Sequence, residues 1–258
     1  RVTTMQEKTR AKTLTFGFSP QATMQVTNFE TKIEPQGKSK YGKPTGITFK
    51  LEYQGTFVPV RITGALGKTQ AYSAAAAAAV GIGYDLNLVK IAEALSFYRS
   101  PSQRMNIVLG ENKCVIIDDS YNASPIAVKA ALETLADIPA KRKVAILGDM
   151  KELGAHSKAA HQAAGRQAAA VADLLIAVGP ESKPLAEAAT EAGMNGKKVY
   201  WFETVSQALV KAEDLIKEGD LVLIKASHSI GLGKITEALR SPLAAVHQAF
   251  FKKVKPLV

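Results

Sequence analysis

The chain has 258 residues, long for one domain and comfortable for two, and its 47% hydrophobic and 22% charged content is ordinary for a water-soluble globular protein. No run of about 18 apolar residues is present, which excludes a membrane-spanning helix. A single cysteine, Cys114, excludes an intramolecular disulfide and a cysteine-based zinc cluster.

The formal charge of +10 is lopsided, because residues 1–110 carry 14 Lys+Arg against 6 Asp+Glu. That balance suits an anionic small ligand such as a nucleotide or a sugar diphosphate. Nucleic acid is not expected as a partner. The basic residues are scattered, and neither a zinc finger nor an aromatic-rich RNA-binding signature accompanies them. The opening "RVTTMQEKTRAK" has no apolar core of the signal-peptide kind and no initiator Met. A cytoplasmic chain cut from something longer is the expectation. Cys114 lies in the apolar run "CVIID" and reads as a small buried hydrophobe.

Residues 12–60 read as short strands, "KTLTFGFS", "ATMQVTNFE", "GITFKLEYQ" and "TFVPVRIT". They alternate in polarity, and the turn clusters "EPQGKSKYGKPTG" and "QG" separate them, so an antiparallel, hairpin-rich sheet is predicted. Two helices follow. The first, near Gln70–Val80, is mostly alanine; the second, "NLVKIAEALSFY", places Leu88, Ile91, Ala92 and Leu95 on one face. Between the sheet and the first helix lies Gly67-Lys68-Thr69. A phosphate loop, G-x-x-x-x-G-K-[ST], would need its first glycine at Ile62, and Gly64 comes two residues too late. The segment therefore reads as a strand end, a turn and a helix start.

From Lys113 the rhythm becomes strand–helix alternation. "CVIID", "KVAILGD", "DLLIAVG", "KVYWFE" and "DLVLIKAS" are strands. "SPIAVKAALETLAD", "SKAAHQAAGRQAAAVA", "KPLAEAATEAG" and "VSQALVKAEDLI" are helices, the first capped by Ser124 with Pro125 at its first position. The predicted fold is α/β: a mixed sheet with antiparallel hairpins over residues 1–108, then a Rossmann-like domain with a mainly parallel sheet over 109–258, the boundary falling near 105–112. Such sheets bind ligands beyond the carboxyl ends of their strands. Polar clusters stand there: Asp118-Asp119-Ser120-Tyr121-Asn122, Gly148-Asp149-Met150-Lys151-Glu152, Gly179, and Lys225-Ala226-Ser227-His228.

These clusters carry a family resemblance. "VIIDDSYNASPIAVKAALETL", "VAILGDMKELG" followed by His161, and "LVLIKASHSIGLGKITEAL" closely resemble the C-terminal part of the Mur ligases, and "LTFGFSPQATMQVTNFE" with "GALGKTQAYSAAAAAAVGIGYDL" looks like the second half of their central ATPase domain. The resemblance covers nearly the whole chain and is greatest to the members that add D-alanyl-D-alanine. It implies ligation of D-alanyl-D-alanine to a UDP-N-acetylmuramoyl-tripeptide in peptidoglycan precursor synthesis, by a monomer using ATP and Mg2+. ATP would phosphorylate a carboxylate, and an amine would then attack the acyl phosphate. The family's phosphate loop, magnesium-binding glutamate and carbamylated lysine would lie upstream of Arg1, so this chain alone is expected to be inactive.

The resemblance also implies site residues. Gln70 matches a nucleotide contact in the turn G-x-H-[NQ]-x-x-[NP]-A, although Thr69 stands in place of the usual histidine and Ser73 departs from the usual residue. Arg104 matches an arginine that reaches the nucleotide across the domain junction. Asp119 matches the aspartate that binds the ribose hydroxyls, and Tyr121 and Asn122 accompany it in the motif. Lys225, Ser227 and His228 match a segment facing the substrates. His161 matches a family position but receives no catalytic role. Three alternatives stand beside this reading: another Mur-type ligase, here without the Asp-Asn-Pro-Arg motif; a noncatalytic nucleotide-binding module; and a dinucleotide oxidoreductase. The last lacks a G-x-G-x-x-G after a strand.

Overall fold

The structure is a computed structural model that describes residues 8–36 and 39–241. Its first lobe is a four-stranded sheet in the order β1 (Phe16–Gly17), β2 (Met24–Gln36), β3 (Ser39–Tyr53), β4 (Thr56–Thr63). The pairs β2–β3 and β3–β4 are antiparallel, as the alternating sequence predicts. Two details differ from expectation. "KTLTFGFS" gives only the two-residue β1, which pairs parallel with β2. There the Thr15 and Thr23 hydroxyls each accept from the other residue's N–H, at 2.9 and 3.2 Å respectively, so side chains occupy the places of ladder bonds. The second is "EPQGKSKYGKPTG", which is strand for most of its length. Its turn-type residues produce register shifts in a long ribbon instead of ending it early.

Helices α1 (Lys68–Gly83) and α2 (Leu88–Ser96) cover this sheet. The alanines 71, 74, 75, 78 and 79 of α1 are buried, and their small side chains let the helix lie close to the sheet. Leu88 and Ile91 of α2 are buried, while Ala92 and Leu95 pack at the margin of the same core.

The second lobe is a six-stranded sheet. In chain order it contains β5 (Asn106–Leu109), β6 (Val115–Asp119), α3 (Pro125–Asp137), β7 (Arg142–Gly148), α4 (Ser157–Val171), β8 (Leu174–Val178), α5 (Lys183–Glu191), β9 (Val199–Phe202), α6 (Val205–Leu215), β10 (Asp220–Lys225) and α7 (Gly233–Leu239). The spatial order is β5-β6-β10-β7-β8-β9, parallel except for β5, which runs antiparallel to β6. The interval 105–112 thus holds an edge strand of this sheet. Ile117, Leu147, Ala177 and Leu223 face the core shared with α3, α4 and α5; Ile116, Ile146, Ile176 and Ile224 face the core of α6 and α7. Both faces are buried, so the strands read as continuous apolar runs.

The lobes are stitched together where 64–66 meets 105–107. Leu66 N–H donates to the Met105 carbonyl at 3.0 Å, and Ile107 N–H to the Gly64 carbonyl at 2.9 Å. One apolar cluster runs from Met24 and Ile47 through α1 and α3 to Leu223. No helix among the described residues is long and apolar enough to cross a membrane.

Candidate functional site

The chain leaves β6, crosses to β7, β8 and β9, and returns to place β10 between β6 and β7. This change of direction places a crevice at the carboxyl ends of the adjacent strands β6 and β10. A cavity of about 550 Å3 lies there, walled on the other side by α1 and the loop after α2. It brings together Gln70, Arg104, Asp119, Asn122 and Lys225, five of the eight residues that the resemblance implicates. Thr69 and Ser73, where the sequence departs from the family turn, line the same wall.

Asp119 and Lys225 end their strands as register partners. Lys225 Nζ lies 2.5 Å from Asp119 Oδ2 and donates also to the Asn122 carbonyl at 2.8 Å. Its side chain is 2% exposed and that of Asp119 is 13% exposed. The other carboxylate oxygen, Oδ1, accepts from Met105 N–H at 3.1 Å. Burial raises the Asp119 carboxyl above the usual range, and Lys225, the Met105 N–H and Arg104 offset part of that effect. Each Asp119 oxygen keeps acceptor capacity, and the Lys225 ammonium has a third donor hydrogen beyond its bonds to Asp119 and Asn122. The neighbouring Asp118 is buried with Oδ1 accepting from Ser120 Oγ at 2.6 Å, and burial raises its carboxyl too.

Arg104 is exposed at the rim, its guanidinium 4.0 Å from the centroid of the Tyr121 ring. Tyr121 lies in turn 5.2 Å, centroid to centroid, from His228. Tyr121 and His228 therefore form a rim column beside the cavity. Asn122 contributes its carbonyl to Lys225, while the cap of α3 is Ser124, whose Oγ accepts from Ala127 N–H at 3.4 Å. Ser227 is buried and turned toward the loop after β7: its Oγ accepts from Lys151 N–H at 2.9 Å and its N–H donates to the Asp149 carbonyl at 3.0 Å.

That loop has its own polar lattice, which the sequence did not disclose. Lys151 Nζ bridges Asp149 Oδ2 at 2.9 Å and Glu181 Oε1 at 2.8 Å, and Glu181 Oε2 accepts from Ser157 Oγ at 2.5 Å. His161 is fully buried. Its Nε2 accepts from Met150 N–H at 3.0 Å, so Nδ1 carries the proton that reaches the Ser157 carbonyl at 2.8 Å. This histidine fixes the "LGDM" turn and faces no ligand space. Tyr98, Ser100 and Asn106, which brace the Arg104 loop, were also missed: Tyr98 and Ser100 reach the distant Gln70, and the local bonds of Asn106 to Arg104 and Ser100 follow no spacing that marks a loop brace.

Comparison with known proteins identifies relatives of the chain. Residues 103–228 match the family described as Mur ligase, glutamate ligase domain, a range that opens just ahead of β5. The UDP-N-acetylmuramoyl-tripeptide–D-alanyl-D-alanine ligase of Mycobacterium leprae is 33% identical over 193 residues, which is 68% of this chain and 37% of that ligase. Among solved structures, MurF from Acinetobacter baumannii superposes with a TM-score of 0.70 at 26% identity, covering 88% of this chain and 46% of that one. The MurF ligase from Thermotoga maritima in complex with ADP gives a TM-score of 0.70 at 23% identity over 88% of this chain and 48% of that one, a likeness of fold. The chain spans less than half the length of each of these relatives. The matched domain, the sequence relative and the shared two-lobed fold make this chain a member of the Mur ligase family.

Proposed function

We propose that the chain forms the nucleotide-gripping part of an ATP-dependent ligase that joins D-alanyl-D-alanine to a UDP-N-acetylmuramoyl-tripeptide in the cytoplasm. The observation that carries this reading is the interlobe cavity, which gathers acid, base and amide groups from both lobes at the strand-order reversal. Its volume falls within the range of about 300–1,000 Å3 usual for small-molecule sites. The donor set suits a nucleotide. Asp119 has lone pairs for two ribose hydroxyls, and the exposed Arg104 guanidinium suits phosphate oxygens. Lys225 favours the ionised form of Asp119 against the effect of burial and supplies a further cation at the same wall.

Bound ATP would supply the phosphoryl group that activates a substrate carboxylate. The residues of this chain would orient the nucleotide and exclude water around it, which is positional and electrostatic catalysis. Among the described residues no group of three or more His, Cys, Asp or Glu side chains is placed to hold a metal ion by itself. The name of the Mycobacterium leprae relative supports the substrates, and the ADP complex of the Thermotoga maritima protein supports the nucleotide.

Calorimetric titration of the chain with ADP tests this. Wild-type protein should bind, and Ser73→Trp, which projects a large ring into the cavity from α1, should abolish binding while leaving the melting temperature close to wild type. Absence of binding in wild type, or full binding by Ser73→Trp, would contradict the reading.

A further inference from the structure

Gln70 lies in the first turn of α1, yet every polar atom of its side chain is committed to residues 28 to 34 positions further along the chain. Nε2 donates to Ser100 Oγ and to the Arg104 carbonyl, both at 3.1 Å, and Oε1 accepts from the Tyr98 hydroxyl at 3.1 Å. Ser100 Oγ donates to the same Arg104 carbonyl at 2.8 Å. Asn106 closes the loop from the other side, accepting from Arg104 N–H at 3.1 Å and donating to the Ser100 carbonyl at 3.3 Å.

The loop so held is strained. Gln103 and Met105, on either side of Arg104, have φ of +62° and +55°, a region that side chains other than glycine rarely adopt. Such strain persists only where surrounding contacts over-determine the backbone, and it collects at ligand sites. The loop also holds both halves of the cavity together: Met105 N–H donates to Asp119 Oδ1 at 3.1 Å, and Tyr121, whose ring lies against the Arg104 guanidinium, donates its N–H to the Gln103 carbonyl at 3.2 Å.

A primary amide has two donor hydrogens. Both are in use here, in a residue that is 6% exposed, which leaves no donor for a base or a phosphate; Oε1 already accepts from Tyr98 and has one lone pair left. We propose that Gln70 is a positioning residue: it acts by clamping loop 98–105 in its strained form, which sets Arg104 and Asp119 relative to one another, and it makes no contact with the nucleotide. This rests on the nucleotide reading above and departs from the contact role that the resemblance implies for Gln70.

The test combines amide hydrogen exchange with ADP titration of Gln70→Met, which keeps the volume and removes the clamp. Ser100→Ala serves as a milder second variant should Gln70→Met fold poorly. Exchange at residues 103–106 and at Tyr121 should accelerate in the absence of nucleotide, while α4 and α5 stay unchanged. ADP affinity should fall about tenfold, which corresponds to about 1.4 kcal/mol, and GDP affinity should fall by the same factor. Most of that loss should disappear in an Arg104→Ala background, because the two residues act through one loop. Unchanged exchange in the loop overturns the clamp whatever the nucleotide does. A loss that adds in full to that of Arg104→Ala, or that alters the ADP-to-GDP ratio, overturns it in favour of direct contact. If wild-type protein binds no ADP, the nucleotide reading falls and this inference falls with it.

Discussion

Asp119 and Lys225 are register partners at the carboxyl ends of β6 and β10, and their side chains form an ion pair of 2.5 Å at the floor of the interlobe cavity. The family resemblance assigns the aspartate to the nucleotide and the lysine to the substrates, but the structure makes them one unit. The pair costs desolvation, visible in the raised Asp119 carboxyl, and it places fixed charge where a ligand would lie.

Removing one partner strands the other. Asp119→Asn leaves the 2%-exposed Lys225 side chain without its counter-ion, and Lys225→Met leaves a desolvated carboxylate. Each should lose about 3–5 kcal/mol of unfolding free energy, the usual cost of breaking a buried pair. The double variant should be less destabilised than either single one. Urea unfolding at neutral pH checks this, and additive losses would show that the two side chains are not coupled.

The loop after β7 gives a second expectation. Gly179 has φ +111°, and a Cβ built there would collide with the fully buried carboxylate of Asp149. Gly154 also has a positive φ, of +53°, but its Cβ would meet open space. Gly154→Ala should therefore cost only backbone strain, about 1–3 kcal/mol. Gly179→Ala should cost that and more, because the Asp149–Lys151–Glu181 lattice must move. Thermal unfolding of the two variants should rank them in that order; equal midpoints would contradict the steric account.

Much of this architecture was legible in the sequence. The five strands and four helices from Lys113 onward stand where apolar runs and periodicity put them, because strands buried on both faces leave an unambiguous apolar signature. The carboxyl-end clusters were legible for the same reason: polar residues immediately after such strands stand out. Less legible was what depends on one or two contacts. Strand β5 is four residues on a sheet edge inside what reads as a linker, and β1 is two residues whose pairing is set by threonine hydroxyls. Side-chain direction was not legible at all. Nothing in "KASHS" says that Lys225 faces Asp119, that Ser227 turns to the Lys151 loop, or that His228 lies beside Tyr121.

Glu181 gives an expectation about pH. Hydrogen bonds from Lys151 and then Ser157 lower its carboxyl below the ordinary 4.5. A group with a depressed folded-state value contributes stability that is fully present above its unfolded value and is lost as pH falls through the folded one. Glu181→Gln should therefore be less stable than wild type at neutral pH. The difference should shrink below about pH 4.5 and close once both states are protonated. Denaturant midpoints measured from pH 7 downward check this; a difference that grows toward acid would reverse the assigned sign.

The antiparallel β5 covers the outer edge of β6, the strand that carries Asp119. We propose that the second lobe folds alone when β5 is included. A fragment beginning at Gln103 should show cooperative unfolding, and one beginning at Glu111 should be less stable because β6 becomes an open edge. Comparison of their thermal transitions decides it, and equal stability would separate β5 from the folding unit.

The most direct measurement is a crystal structure of the chain soaked with ADP. The ribose hydroxyls should lie within hydrogen-bond distance of the Asp119 carboxylate, the phosphates should lie against Arg104, and the Gln70 amide should keep its bonds to Ser100 and Arg104. Nucleotide bound elsewhere, for example in the groove between Lys40, Lys113 and Lys141 at the amino ends of the strands, would contradict the account.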